Sequence, residues 1–422
     1  MSTTSTPSTG TAVQIEPKPI TSIDLIRAQI HAALGDITKL RRDLHSHPEL
    51  AFEEHRTSKV IQAELTKLNI PFKAGLARGT GVVAHLAPTT AAAKDNPAVA
   101  LRADIDALPI QEQTKKPYAS CTNGVMHACG HDGHTAMLLG AARVLSQLSH
   151  RPQPVTFVFQ PAEEHGGGGQ VLCQEGIMKG SAGGGIGPAI GRIYGQHGWP
   201  SVPLHTVASR KGPMLANCDE FYITINGVQA HGAYPHLGRD PILAGAHIIA
   251  GLQSIASRSV GPLDSVVCTV GQFHAGTATN IIPQTARLEG TVRTLRAETT
   301  ILAKERVFEI VENTSKAFGC TAEIDWQDGY PVTFNDFGLT DTFFEIARST
   351  LGTPRVQELS EPTMGGEDFS FYGQHVPACF FMLGLKPAGV TQMPSLHQPD
   401  FDFNDDALAT GIEMFVNLAL RG

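Results

Sequence analysis

The sequence predicts an α/β protein in two parts, with a smaller α+β module inserted into a larger sheet-and-helix domain. Three observations carry this. At 422 residues the chain exceeds the roughly 250–300 over which one hydrophobic core keeps growing. Val155–Gln160 is apolar at nearly every position, the pattern of a strand covered on both faces. Between about 215 and 328 the pattern becomes β-α-β-β-α-β, the order of a ferredoxin-like module.

Taken in order, Met1–Ile20 is rich in Ser, Thr and Pro and reads as a disordered tail (1–20), without the basic and apolar regions of a secretory signal. From Ile23, apolar residues at Ile26, Ile30, Ala33, Ile37, Leu40 and Leu44 recur at helical spacing, with a break or kink expected at Gly35 and a stop at Pro48. A second helix is expected over Thr57–Leu68, and His45 and His47 read as surface or cap-region histidines. Gly81–Leu86 and Ala98–Arg102 read as strands joined by a mobile loop, Pro88–Pro97. Thr135–Leu148 reads as a buried helix and Ile190–Gln196 as a strand ending at His197. In the insert, strands are expected over Phe221–Val228, Ser265–Phe273, Thr285–Leu295 and Thr321–Trp326, and helices over Pro241–Ser257 and Thr299–Phe318. Helix Phe337–Leu351, strand Ala378–Gly384 and helix Asp405–Leu420 return to the first domain. That domain is therefore expected over 21–214 and 329–422, around an insert at 215–328.

Hydrophobic residues make up 41% and charged residues 17%, the balance of a folded globular protein. A net charge of −8 without a Lys/Arg run argues against nucleic acid or an anionic membrane as partner. No apolar run reaches the ~18 residues of a membrane span. Seven cysteines, an odd number without a regular framework, point to free thiols in a reducing compartment, so a cytoplasmic location is expected.

The chemistry concentrates at His127–His134, read His-Ala-Cys-Gly-His-Asp-Gly-His, where three imidazoles, one thiol and one carboxylate fall within eight residues. Donors of that softness and density suit a transition metal, the alternative being a His-rich polar loop around a buried Cys. Arg102-Ala-Asp-Ile-Asp places Asp104 and Asp106 on one face at the carboxyl end of a strand, where open α/β sheets bind ligands. Glu163-Glu164 follows another strand and precedes four glycines. Adjacent residues on extended chain face opposite ways, so one carboxylate can hold a metal while the other faces its water. A metal hydrolase needs that division: the ion lowers the water pKa toward ~7 and a free carboxylate moves the proton to the leaving nitrogen.

The segments Leu-Arg-Ala-Asp-Ile-Asp-Ala-Leu-Pro, His-Ala-Cys-Gly-His-Asp-Gly-His, Phe-Gln-Pro-Ala-Glu-Glu, Gln-Ala-His-Gly-Ala-Tyr-Pro-His, Asn-Ile-Ile-Pro and Ser-Leu-His-Gln-Pro-Asp-Phe occur in this order from about Leu40 onward. Together they resemble peptidase family M20, the aminoacylase and carboxypeptidase group of dinuclear metallopeptidases. More narrowly they resemble its amidohydrolase branch of hippurate, aminobenzoyl-glutamate and auxin-conjugate hydrolases. The resemblance implies a mixed-sheet, zinc-exopeptidase-like catalytic domain with an inserted ferredoxin-like lid and dimerisation domain. It implies two divalent ions, Mn2+ or Zn2+, held by Cys129, His131, Glu164, His197 and His397, with Cys129 bridging and Glu163 as general base. Asp104 and Asp106 are expected to orient imidazoles from behind. By the same resemblance, His231 reaches the active site of a partner subunit to steady the oxyanion, and Asn280, Arg293, Gly365 and Gly366 meet the substrate.

A nucleophilic role for Cys129 is disfavoured, because metal-type donors surround it and a Cys–His enzyme needs no Glu pair. His236 reads as a turn residue, His134 as capping a helix and His127 as supporting the loop. Gln196-His197-Gly198 departs from the family's Leu-His-Val pattern, and the smaller neighbours are expected to widen the pocket. The expected activity is hydrolysis of the amide bond of N-acyl or N-aroyl amino acids by a homodimer acting on a small-molecule substrate. The alternatives are a dipeptidase or exopeptidase of the wider family, which would recognise a free amino terminus, and a non-catalytic homologue that binds amino-acid conjugates.

Overall fold

The computed structural model describes residues 22–422; the tail expected over 1–20 lies outside them. An eight-stranded sheet forms the larger layer, in the order Phe72–Leu76, Gly81–Leu86, Val155–Gln160, Ala98–Asp104, Ile190–Pro203, Ala378–Lys386, Val207–Ser209, Val356–Glu358. The four strands at its centre, Val155–Gln160 through Ala378–Lys386, run parallel, and each outer one pairs antiparallel with its flanking neighbour, Gly81–Leu86 on one side and Val207–Ser209 on the other. Their apolar runs are explained by burial on both faces. Val99, Leu101 and Ala103 point into one core and Ala100 into the other.

Helices Ile23–Ser46, His131–Gln147, Phe337–Leu351 and Leu408–Arg421 cover the first face. In the first of them, Ile26, Ile30, Ala33, Ile37 and Leu44 form the buried stripe, so truncating Ile30 or Ile37 to Ala would cost about 2–5 kcal/mol. That helix runs unbroken through Gly35, contrary to expectation: a Cβ there would meet open space, so the glycine marks no close approach. Helix His131–Gln147 starts four residues before the expected position because Gly130 adopts a left-handed turn (φ 88°) immediately ahead of it. A side chain at Gly130 would also lie 3.0 Å from Phe403.

Residues Cys218–Tyr330 contain a four-stranded antiparallel sheet in the order Val266–Ala275, Thr285–Thr294, Cys218–Asn226, Thr321–Tyr330. Helices Pro241–Ser254 and Ala297–Ala317 pack on it around a separate core of Phe221, Ile223, Ile248, Leu288 and Val307. Pro241 opens the first helix behind an Asp240 cap that accepts from Ile242 and Leu243 N–H. Among the described residues no helix is long and apolar enough to cross a membrane, and all seven cysteines are free.

Candidate metal centre

Four segments converge at the carboxyl ends of the parallel strands. The Gly130 turn delivers Cys129 and His131, and the turn after Val155–Gln160 delivers Glu163 and Glu164. Strand Ile190–Pro203 carries His197, and a loop near the C-terminus carries His397. Within these segments two non-glycine residues have left-handed backbone: Ala162 (φ 56°), just before the Glu pair, and His397 (φ 64°). Conformations of that kind persist where the surroundings over-determine them. His397 is tied by its N–H to the Ala128 carbonyl at 2.9 Å, one residue from Cys129.

The donor atoms form overlapping sets, and two of these share Cys129. Ligand atoms of Cys129, His131 and His197 lie within 4.8 Å of one another, as do those of Cys129, Glu164 and His397. Cys129 Sγ is 3.3 Å from His197 Nε2, and Glu164 Oε1 is 3.2 Å from His397 Nε2 and 3.8 Å from His131 Nε2. His131 Nε2 and Glu164 Oε1 are buried, and neither makes a hydrogen bond with good geometry among the described residues. Burial, then Glu164 and Glu163, hold the Cys129 thiol well above its usual range, so its thiolate needs a cation. One thiol, three imidazoles and a carboxylate with free lone pairs fit divalent metal.

Behind these donors, Asp106 accepts from His131 Nδ1 at 3.1 Å and from the Glu164 N–H at 2.9 Å, fixing both at once. Asp104 accepts from His134 Nδ1 at 2.6 Å, and His134 Nε2 accepts from the Gly198 N–H at 2.8 Å. Both His134 nitrogens are therefore used, and the side chain links strand Ala98–Asp104 to the His197 backbone. It caps nothing, since Gly130 occupies the cap position. His45 is buried against Asp132 and Glu112 rather than at a helix surface, and His47 is half-exposed on the Asp43 carbonyl.

Sequence reasoning missed a charged hub. Arg102, fully buried, donates to Asp104 at 2.6 Å, to Glu367 and Asp368 at 2.9 Å, and to Gln160 at 2.9 Å. Glu367 and Asp368 in turn crowd Glu163, whose Oε1 lies 3.4 Å from the Asp368 N–H. Burial first, then Glu367, Glu164 and Asp368, push the Glu163 carboxyl well above the usual range. The available signal was an arginine inside an otherwise apolar strand, which requires a buried counter-charge.

Three expectations change. Glu163 and Glu164 lie in a turn after the Ala162 kink, not on extended chain, and their carboxylates come within 4.8 Å of each other and of a His131 nitrogen rather than facing opposite ways. Strand Ile190–Pro203 continues past His197, which sits within it. Gly198 does not loosen the pocket: a Cβ there would meet Phe403 at 2.8 Å and Leu385 at 3.0 Å, so those side chains already fill the space.

The five remaining candidates fall into two groups, His231 with Asn280, and Arg293 with Gly365 and Gly366. His231 is exposed beside Asn280, whose carbonyl accepts from the Gly232 N–H at 2.7 Å. Arg293 reaches the Met364 carbonyl at 3.5 Å beside Gly366, where a Cβ would lie 2.6 Å from Cys218 Sγ. The missing side chain at Gly366 makes room for Cys218, while Gly365 stands in open space with only the Thr363 hydroxyl within 4 Å.

A doubly covered α/β sheet with a thiol, imidazole and carboxylate cluster at its strand ends defines a hydrolase of the metallopeptidase class. Residues 100–421 match the model of peptidase family M20/M25/M40, and the chain belongs to that family. It is 38% identical over 387 residues to IAA-amino acid hydrolase ILR1-like 4 of Arabidopsis thaliana, covering 90% of this chain and 84% of that one. To N-acetyl-L-cysteine deacetylase of Bacillus subtilis it is 40% identical over 371 residues, with 87% and 84% covered. Its structure is similar to that of the Bacillus subtilis YXEP protein, described as a dinuclear metal binding peptidase of the M20 family. The TM-score is 0.78 and identity 34%, with 92% of this chain and 98% of that one covered.

Proposed function

We propose that this protein hydrolyses the amide bond of N-acyl and N-aroyl amino acids, with Glu163 as general base. The single observation that carries the reading is the shared position of Cys129 between two donor sets, with a Glu163 oxygen within 4.8 Å of His131 of one set and Glu164 of the other. Cys129, His131 and His197 would hold one divalent ion, Mn2+ or Zn2+, and Cys129, Glu164 and His397 the other. When bound, such ions polarise an amide carbonyl and acidify water. Asp106 orients His131, and Asp104 with His134 fixes the strand that carries His197. Glu163 takes a proton from the attacking water and returns it to the leaving nitrogen.

The inserted module at 215–328 acts in this reading as a lid and dimerisation domain. Its edge strand Val266–Ala275 is largely exposed, and Val228, Tyr234, Leu237, Leu243 and Ile281 add exposed apolar surface around His231. An unpaired edge with apolar neighbours suits pairing with a second copy, which would bring His231 to the partner's oxyanion.

The test is hydrolysis of hippurate, N-acetyl amino acids and unblocked dipeptides by wild type and Glu163→Gln, with metal content measured on both. Cleavage of the acylated substrates, lost by at least 100-fold in the variant with metal retained, supports the proposal. Near-wild-type turnover by Glu163→Gln, or cleavage confined to unblocked dipeptides, overturns it.

A further inference from the structure

Glu54 is fully buried, yet it stands in none of the donor sets around Cys129. Its carboxylate accepts from three donors. Oε1 accepts from the Phe52 N–H at 3.0 Å and from the Ala162 N–H at 2.9 Å, and Oε2 accepts from the buried Thr80 hydroxyl at 2.7 Å. Glu54 occupies the cap position of helix His55–Lys67 but does not cap it with its side chain. Glu49 serves there instead, accepting from the Arg56 and Thr57 N–H groups at 2.8 Å.

Both N–H groups on Oε1 belong to residues with left-handed backbone, Phe52 (φ 63°) and Ala162 (φ 56°). A residue with a Cβ adopts that conformation at a cost and keeps it only where its surroundings impose it. Ala162 is fully buried, and the Glu54 carboxylate is the acceptor for its N–H. Phe52 adds a second contact, since its ring fills the space beside Gly166, where a Cβ would lie 2.5 Å away. The loop Phe52–Glu54 therefore grips the turn of Glu163 and Glu164 at both ends, at Ala162 and at Gly166. It is anchored in turn beyond strand Ala98–Asp104, where the Glu49 carbonyl accepts from the Ala107 N–H at 2.9 Å.

We propose that Glu54 is a positioning residue for Glu163: by accepting from the Ala162 N–H it holds the left-handed turn that aims the Glu163 carboxylate. Without that acceptor a buried N–H is unpaired, and Ala162 relaxes toward a commoner backbone region, which swings the residue after it. That residue is Glu163. Glu164 has an anchor of its own, because Asp106 accepts from its N–H at 2.9 Å, so the ligand stays while the base is mis-aimed. The inference rests on the reading of Glu163 as general base and adds what orients it.

Two variants separate reach from charge. Glu54→Asp keeps the charge but ends one carbon short of Ala162, whereas Glu54→Gln keeps the reach, with an amide oxygen for the two N–H groups and an amide N–H for the Thr80 hydroxyl. Hydrogen exchange on the full-length, metal-loaded protein tests the contact without turnover. The Ala162 amide should exchange about tenfold faster in Glu54→Asp and at the wild-type rate in Glu54→Gln. On an N-acetyl amino acid, kcat should fall about tenfold in Glu54→Asp with KM and metal content unchanged, and stay within about twofold of wild type in Glu54→Gln. Glu49→Ala, which loosens the same helix without touching the turn, should lower the urea midpoint and leave kcat unchanged. Wild-type kcat or wild-type exchange in Glu54→Asp overturns the proposal, as does an equal loss of kcat in Glu54→Gln or Glu49→Ala. Parallel loss of metal would assign the effect to Glu164, and failure of Glu54→Asp to fold would make the residue part of the core; either overturns it too. If the wild type cleaves no acylated amino acid, the hydrolase reading fails, and the exchange rates alone still decide whether Glu54 holds the turn.

Discussion

Tyr330 donates its hydroxyl hydrogen to the backbone carbonyl of Glu163 at 2.7 Å and accepts from the Gly167 N–H at 3.2 Å. Tyr330 is the last residue of strand Thr321–Tyr330, so one phenol ties the four-stranded module to the turn that carries the proposed base. The contact spans the seam between the layers and fixes the backbone on either side of Glu164.

Removing only that hydroxyl should affect turnover more than binding. Tyr330→Phe keeps the ring against Phe371 and leaves the Glu163 carbonyl without its donor, a loss of about 1 kcal/mol, or roughly fivefold. The expected outcome of steady-state kinetics on an N-acetyl amino acid is a several-fold lower kcat with KM within twofold. A fall in kcat/KM through KM alone would show that the contact serves substrate binding instead.

The Arg102 hub makes a prediction about stability. Its guanidinium is the shared cation for Asp104, Glu367 and Asp368, all buried. Breaking such a pair by removing one partner costs about 3–5 kcal/mol, because the other charges stay buried without compensation. Arg102→Met should therefore lower the unfolding free energy by that amount in urea titration. Adding Glu367→Gln should restore part of it, since one stranded carboxylate is then neutral. Additive losses in the double variant would mean that the two residues do not share one network.

How far the sequence reached can be judged from these residues. The strands Gly81–Leu86 and Val155–Gln160 were legible because burial on one or both faces imposes its own pattern. Cys129, His131 and the Glu pair were legible as chemistry because their residue types are dense and local. Arg102 with Glu367 was not, since its partners are 265 residues apart and only the fold joins them. Tyr330 offered no local signal at all. The helix start at His131 was missed because Gly130 was read as part of a loop, whereas its left-handed turn is what begins the helix.

His45 gives the pH dependence. Burial opposes its protonation, but Asp132 at 2.8 Å and Glu112 outweigh that and raise its pKa to about 9. A folded pKa above the unfolded value of ~6.5 stabilises the fold fully below pH ~6.5, and the gain is lost as pH rises through about 9. The shift corresponds to a loss on the order of 3 kcal/mol across that window. Chemical denaturation of the metal-loaded protein between pH 6 and pH 10 should show the decline, and His45→Gln should flatten it. An equal slope in wild type and variant would assign the pH dependence to other groups.

The sharing of Cys129 predicts an asymmetry in metal content. Because its Sγ belongs to both donor sets, Cys129→Ala strips one ligand from each, whereas His397→Ala touches only the set with Glu164 and His197→Ala only the set with His131. A buried site reduced to two protein donors holds metal weakly. Elemental analysis after dialysis should therefore find about two ions per subunit in wild type, about one in His397→Ala and in His197→Ala, and almost none in Cys129→Ala. The double variant His197→Ala/His397→Ala should match Cys129→Ala, since both leave two donors in each set. If Cys129→Ala instead kept one ion, the thiolate would serve a single metal, and another group would have to join the two sets.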